Sequence, residues 1–118
     1  MTAGIYNFTI DQGAQYITTI VYEDSNGNPV DLTGYTARMQ LREQSSSPNP
    51  ADLTLTSPSG GIVITPLTGT LVITISTAQT SALTARFYVY DLELTLSGEV
   101  SRLIQGQITV SAQVTQNA

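Results

Sequence analysis

The chain contains no cysteine, no histidine, no tryptophan and no lysine. Without cysteine there is no disulfide, no thiol nucleophile and no thiolate zinc site. Without histidine the commonest general base near neutral pH and the commonest transition-metal ligand are both missing. Serine and threonine abound, but no base stands beside them to activate a hydroxyl as a nucleophile, and no glycine-rich phosphate loop occurs. These absences exclude most catalytic chemistry. The sequence is therefore expected to encode no enzyme, to hold no cofactor or metal, and to owe its stability to core packing.

Charge is also scarce. Only 11% of residues are charged, and four arginines against nine acids give a net charge of −5. A nucleic-acid binder needs clustered cations to displace counterions from phosphate; four scattered arginines on an acidic chain argue against nucleic acid and against anionic membranes. No apolar run approaches the ~18 residues of a membrane-spanning helix. The opening MTAGIYNFTIDQ has neither the basic residue nor the apolar run of a signal peptide. A length of 118 residues and a hydrophobic fraction of 41% suit one packed domain spanning 1–118. Solubility then rests on Thr, Ser, Gln and Asn, an economy that suits either a surface covered by partners or a Thr-rich exposed sheet.

What the sequence does contain is alternation of apolar and polar residues, the signature of strands. Ile5 to Ile10 is a first strand, stopped at Asp11-Gln12-Gly13. Gln15 to Glu23 is a second, apolar on both faces, as for a central strand or one covered on both sides. Asp24 to Pro29 contains Asn-Gly, a hairpin dipeptide tolerant of positive φ. A short segment, Val30 to Leu32, leads to a tight turn at Thr33-Gly34. Tyr35 to Arg42 turns Ala37, Met39 and Leu41 inward and Thr36, Arg38, Gln40 and Arg42 outward. Glu43 to Pro50 is an exposed loop. Ala51 to Thr56 alternates again, before a turn at Ser57 to Gly61.

Ile62 to Thr65 and Leu71 to Thr74 pair as a hairpin around Pro66 and Gly69. Ser76-Thr77-Ala78-Gln79 is a capping box, which predicts a short helix over Thr77 to Leu83. Phe87 to Leu96 is the longest strand, with Tyr88, Tyr90, Leu92, Leu94 and Leu96 on one face. After a turn at Ser97-Gly98-Glu99, the last run is apolar at Ile104, Ile108, Val110, Ala112 and Val114, with Gly106 marking a bulge or a close backbone approach. The fold class is thus all-β: an immunoglobulin-like antiparallel β-sandwich of about 7–9 strands with one short helix near residues 77–83. An open barrel is the main rival.

Three segments imitate functional sites. Asp24 to Asn28 offers alternate oxygens like a calcium loop, but the sixth and twelfth positions, Gly and Glu in such loops, are Pro29 and Tyr35. It is a hairpin turn. Asp91 and Glu93 share a strand face as paired carboxylates do in glycosidases; cross-strand pairing with Arg86 or Arg102 is the expectation instead. Asn7-Phe8-Thr9 is a formal glycosylation sequon that, without a secretory signal, is simply part of a strand.

Several segments together resemble small virion proteins of tailed bacteriophages. They are Tyr6-Asn7-Phe8-Thr9-Ile10 with Gln12-Gly13, Asp31 to Arg42, Ala78 to Leu83, Tyr88 to Leu94, and Gly106 to Thr115. The characterised relatives are the N-terminal immunoglobulin-like domains of upper-baseplate, receptor-fibre-carrying proteins. The resemblance implies a non-enzymatic virion component, made in the host cytoplasm, that docks on other tail, baseplate or capsid proteins in symmetric copies. In those relatives the domain leads into a fibre-docking part; the end at Ala118 leads to the expectation of the docking module alone. Two alternatives stand beside the tail or baseplate adaptor. One is a capsid decoration protein. The other is a carbohydrate-binding module using Tyr6, Tyr16, Tyr22, Tyr35, Tyr88 and Tyr90, although tyrosines in strands are usually core or half-buried. For partner binding, the expected contact residues are Ile5, Tyr6 and Phe8, on a terminal strand able to add to a neighbouring sheet edge.

Overall fold

The alternation along each strand decides which side chains enter the core, and the two sheets follow from it. The structure, a computed structural model, describes residues 4–44 and 51–114. Residues 45–50 of the expected loop and Thr115 of the last run lie outside the described residues. The strands are β1 (Gly4–Ile5), β2 (Phe8–Asp11), β3 (Tyr16–Val21), β4 (Thr36–Arg42), β5 (Leu53–Thr56), β6 (Ile62–Thr65), β7 (Thr70–Ile75), β8 (Phe87–Leu96) and β9 (Glu99–Ser111), with one α-helix, α1 (Thr77–Ala82). The large sheet runs β1-β9-β8-β4-β5, with β2 also on β9, and the small sheet runs β3-β7-β6. Two separate sheets make a sandwich and not a barrel. The pairings are antiparallel except that β1 and β2 run parallel to β9.

The inward positions of both sheets fill one core. Met39 and Leu41 of β4, Leu92 and Leu94 of β8, Leu71 and Ile73 of β7, and Ile10 of β2 are all buried in it. The hairpin of β6 and β7 closes through a 3-10 turn at Pro66–Thr68 and Gly69, which adopts the left-handed conformation at φ 61°. Helix α1 begins as its sequence requires: Gln79 N–H donates to Ser76 Oγ at 3.1 Å and Ser76 N–H donates to Gln79 Oε1 at 2.9 Å. Thr80 is fully buried on it. Its hydroxyl donates to the Ala14 carbonyl at 2.9 Å and accepts from Gly13 N–H at 3.1 Å, tying the helix to the turn before β3.

Three expectations are corrected. The first strand is not continuous from Ile5 to Ile10. It breaks at Tyr6-Asn7 into β1 and β2, yet both halves keep one register on β9, Gly4 opposite Ile104 and Phe8 opposite Ile108. Side chains bridge the gap: Tyr90 Oη donates to the Tyr6 carbonyl, and Gln107 N–H donates to Asn7 Oδ1 at 2.9 Å. A β-carbon at Gly106 would collide with the Tyr6 carbonyl oxygen, so Gly106 marks a close backbone approach. The bulge lies elsewhere, where the β8–β9 register shifts between Leu92 and Glu93. Leu103 is the extra residue, and it lets Leu103 and Ile104 both turn into the core.

Second, β3 is an edge strand covered on one face only. Ile17 and Val21 are 57% and 50% exposed, because β3 has only β7 beside it and its outer face looks away from the core. Third, the inward run of β9 ends early. Val110 is buried, but Ala112 and Val114 lie past the strand end at Ser111 and are exposed.

Leu92 is fully buried, so Leu92→Ala is expected to lower unfolding free energy by ~2–5 kcal/mol. Ser76→Ala removes a cap and should cost ~1 kcal/mol. Chemical denaturation of each purified variant measures both.

Candidate functional site

The outer face of the large sheet gathers the charged side chains that the strands turn away from the core. Strand β4 contributes Arg38, Gln40 and Arg42, and β8 contributes Val89, Asp91 and Glu93. Pairing sets Arg38 opposite Glu93, Gln40 opposite Asp91 and Arg42 opposite Val89. On the far side of β8, Arg102 of β9 stands opposite Glu93 and Gln105 opposite Asp91. On the far side of β4, Thr56 and Thr54 of β5 stand opposite Arg38 and Gln40. Three of the chain's four arginines therefore project from this one face.

Two of them are held in place. Arg102 Nε lies 3.3 Å from Asp91 Oδ2, and Arg102 Nη1 donates to Gln105 Oε1 at 2.9 Å. Arg42 Nη2 donates to Gln40 Oε1 at 3.1 Å. Between these side chains runs an open groove of about 490 Å³, lined by Ile5, Gln40, Arg42, Val89, Asp91, Glu93, Arg102 and Gln105 among others. Arg38 and Glu93 form no ion pair within 4 Å among the described residues, although they are direct cross-strand neighbours. Polar, exposed and shallow, the face is suited to recognition of a complementary surface; it offers no nucleophile–base pair.

The expected pairing of Asp91 or Glu93 with Arg86 or Arg102 is realised by Arg102 and Asp91, while Arg86 bonds Glu43 at 3.1 Å. Alternation placed Arg38 and Arg42 on an exposed face. It could not bring Gln105 and Arg102 beside them, because that depends on the β8–β9 register and its bulge.

The terminal residues expected to meet a partner divide. Phe8 is buried in the chain's own core, against Tyr6, Tyr90 and Tyr16 at ring distances of 4.6, 5.2 and 6.0 Å. Ile5 and Tyr6 are 76% and 52% exposed; Ile5 stands at the rim of the groove. Of the six tyrosines, Tyr88 and Tyr90 are buried and Tyr16, Tyr22 and Tyr35 pack half-buried against the core. Tyr6 is the exposed one of the six. Asp24 closes a turn: its Oδ1 accepts from Asn26 and Asn28 N–H at 2.9 and 3.0 Å. Among the described residues no three of His, Cys, Asp or Glu come together as metal ligands. Thr33, through its hydroxyl and then its backbone N–H, holds the exposed Asp31 carboxyl below its ordinary range.

The outer face of the small sheet is the opposite in character. Its outward positions are Ile17, Thr19 and Val21 on β3, Thr70, Val72 and Thr74 on β7, and Val63 and Thr65 on β6. Every one is β-branched and none is charged.

No protein-family model matches the chain, and no curated protein matches it. A solved structure described as the N-terminal domain of phage TP901-1 ORF48 is similar, at 13% identity and a TM-score of 0.53, over 94% of this chain and 99% of that one. At that identity the likeness is one of fold. It agrees with the sandwich built above, end to end.

Burial above all, and then Tyr16 and Tyr6 nearby, push the Tyr90 hydroxyl well above its ordinary 10.0. The protonated hydroxyl is the one that donates to Tyr6. Its contribution is fully present below pH ~10 and is lost as pH rises toward the higher folded value. The denaturation midpoint is expected to fall between about pH 9 and about pH 11, and to fall less in Tyr90→Phe, which at neutral pH should itself cost ~1 kcal/mol.

Proposed function

We propose that this domain is a non-enzymatic structural module of a phage virion that docks on neighbouring proteins of the tail or baseplate. The observation that carries the reading is the end-to-end likeness of fold to a domain of a phage protein. It joins the resemblance, in Asp31 to Arg42 and Tyr88 to Leu94, to baseplate proteins. A face of exposed, prearranged polar side chains and a second, uncharged face support docking by surface complementarity. The absence of histidine and cysteine supports a role without catalysis. Partners would be other virion proteins, met in symmetric copies after synthesis in the host cytoplasm.

Mass spectrometry of purified particles of the encoding phage, separated into heads and tails, tests this. The protein is expected in the tail fraction at a handful to a few dozen copies per particle. Hundreds of copies on the head would make it a decoration protein instead, and absence from particles would refute a virion role.

A further inference from the structure

We infer that the outer face of the large sheet packs against the same face of a second copy, about a two-fold axis that runs parallel to the strands between β4 and β8. The inference rests on the reading of the domain as an assembly module. A two-fold axis in that position lays β4 of one copy over β8 of the other and keeps every cross-strand row at its own height. Because Arg38 and Glu93 are paired positions on those two strands, Arg38 of each copy then lies over Glu93 of the other. By the same operation Gln40 lies over the other copy's Asp91, and Arg102 lies over its Thr56, two strands out on either side of the axis. No two like charges are superposed.

This self-complementarity is a property of the rows themselves. Reading from β5 to β9, the row Thr56, Arg38, Glu93, Arg102 turned about its centre opposes each cation with an anion or a hydroxyl. The contact also gives a counter-ion to Arg38 and to Glu93, which form no ion pair within 4 Å among the described residues. Moving the axis half a strand spacing, onto β8 or onto β4, sets Glu93 or Arg38 over itself, which like-charge repulsion disfavours. The uncharged face of the small sheet has no such means of fixing a register.

Four strands spaced ~4.8 Å apart and about seven residues long span roughly 400 Å², about half of what each partner gives to a standard interface. The dimer is accordingly reversible and concentration-dependent, and it is weakened by salt.

Sedimentation equilibrium on the intact chain, from micromolar to about 1 mM, is the test, with four samples. The wild type should show a monomer–dimer equilibrium. Arg38→Glu alone and Glu93→Arg alone each place like charges over one another and should weaken it about tenfold or more. An equimolar mixture of the two variants should recover association, because each copy then meets its opposite. That recovery cannot come from a folding defect. Thr19→Glu, on the small sheet, should associate as the wild type does. A wild type that stays monomeric throughout overturns the inference, as do variants that associate normally, a mixture that fails to recover, or loss of association in Thr19→Glu. None of these outcomes bears on whether the protein is found in virions.

Discussion

The chain's first strands reach its last one only because Gly106 has no β-carbon. At that point the N-terminal segment crosses β9 so closely that the Tyr6 carbonyl occupies the space a side chain would need. Tyr90 reaches across from β8 to take up that carbonyl, and Asn7 replaces the missing ladder bond with its own side-chain oxygen. On one side of the crossing, β1 carries Ile5 to the outer face. On the other, β2 carries Phe8 and Ile10 into the core. The aromatic cluster around Phe8 and the closed edge of the large sheet both follow from this one approach. So does the raised Tyr90 hydroxyl, since the burial that perturbs it is imposed by the segment laid over it.

Local signals in the sequence were enough for β4, β8, the β6–β7 hairpin and α1. Each rests on something that neighbouring residues decide among themselves: alternation over seven or more residues, a Pro and a Gly in a short loop, a Ser and a Gln three apart. What escaped local reading depended on distant pairing. Ile17 and Val21 look like the second buried face of a central strand until the sheet order leaves β3 at an edge. Gly106 was legible as a bulge or a close approach, but choosing between them requires knowing that Tyr6 lies above it. The bulge itself, at Leu103, has no glycine to announce it. For the candidate site, Arg38, Arg42, Asp91 and Glu93 were visible as outward residues, whereas their rows with Arg102, Gln105 and Thr56 exist only once three strands are in register.

The sandwich divides its surfaces by chemistry as well as by geometry. One sheet shows water a set of arginines, carboxylates and glutamines, partly locked to one another. The other shows only Ile, Val and Thr, flanked by edge strands β3 and β6 that carry no charge of their own. Natural sheets usually blunt such edges with charge, proline or a bulge. With 11% charged residues in all, the chain concentrates charge where register can be specified and leaves the other face to hydroxyls and methyl groups.

The parallel pairing of β1 and β2 with β9 also orders events in time. Phe8 finds its partner only at Ile108, about a hundred residues later, and β8 too must wait for β9 to complete its second side. The β6–β7 hairpin joins neighbouring residues through a short turn, but the large sheet cannot close until Ser111 has emerged. Loop-closure entropy is met in a single late step, so a message or a peptide cut short within β9 yields no smaller version of this domain. It leaves Phe8 and Ile10 without a sheet edge to join.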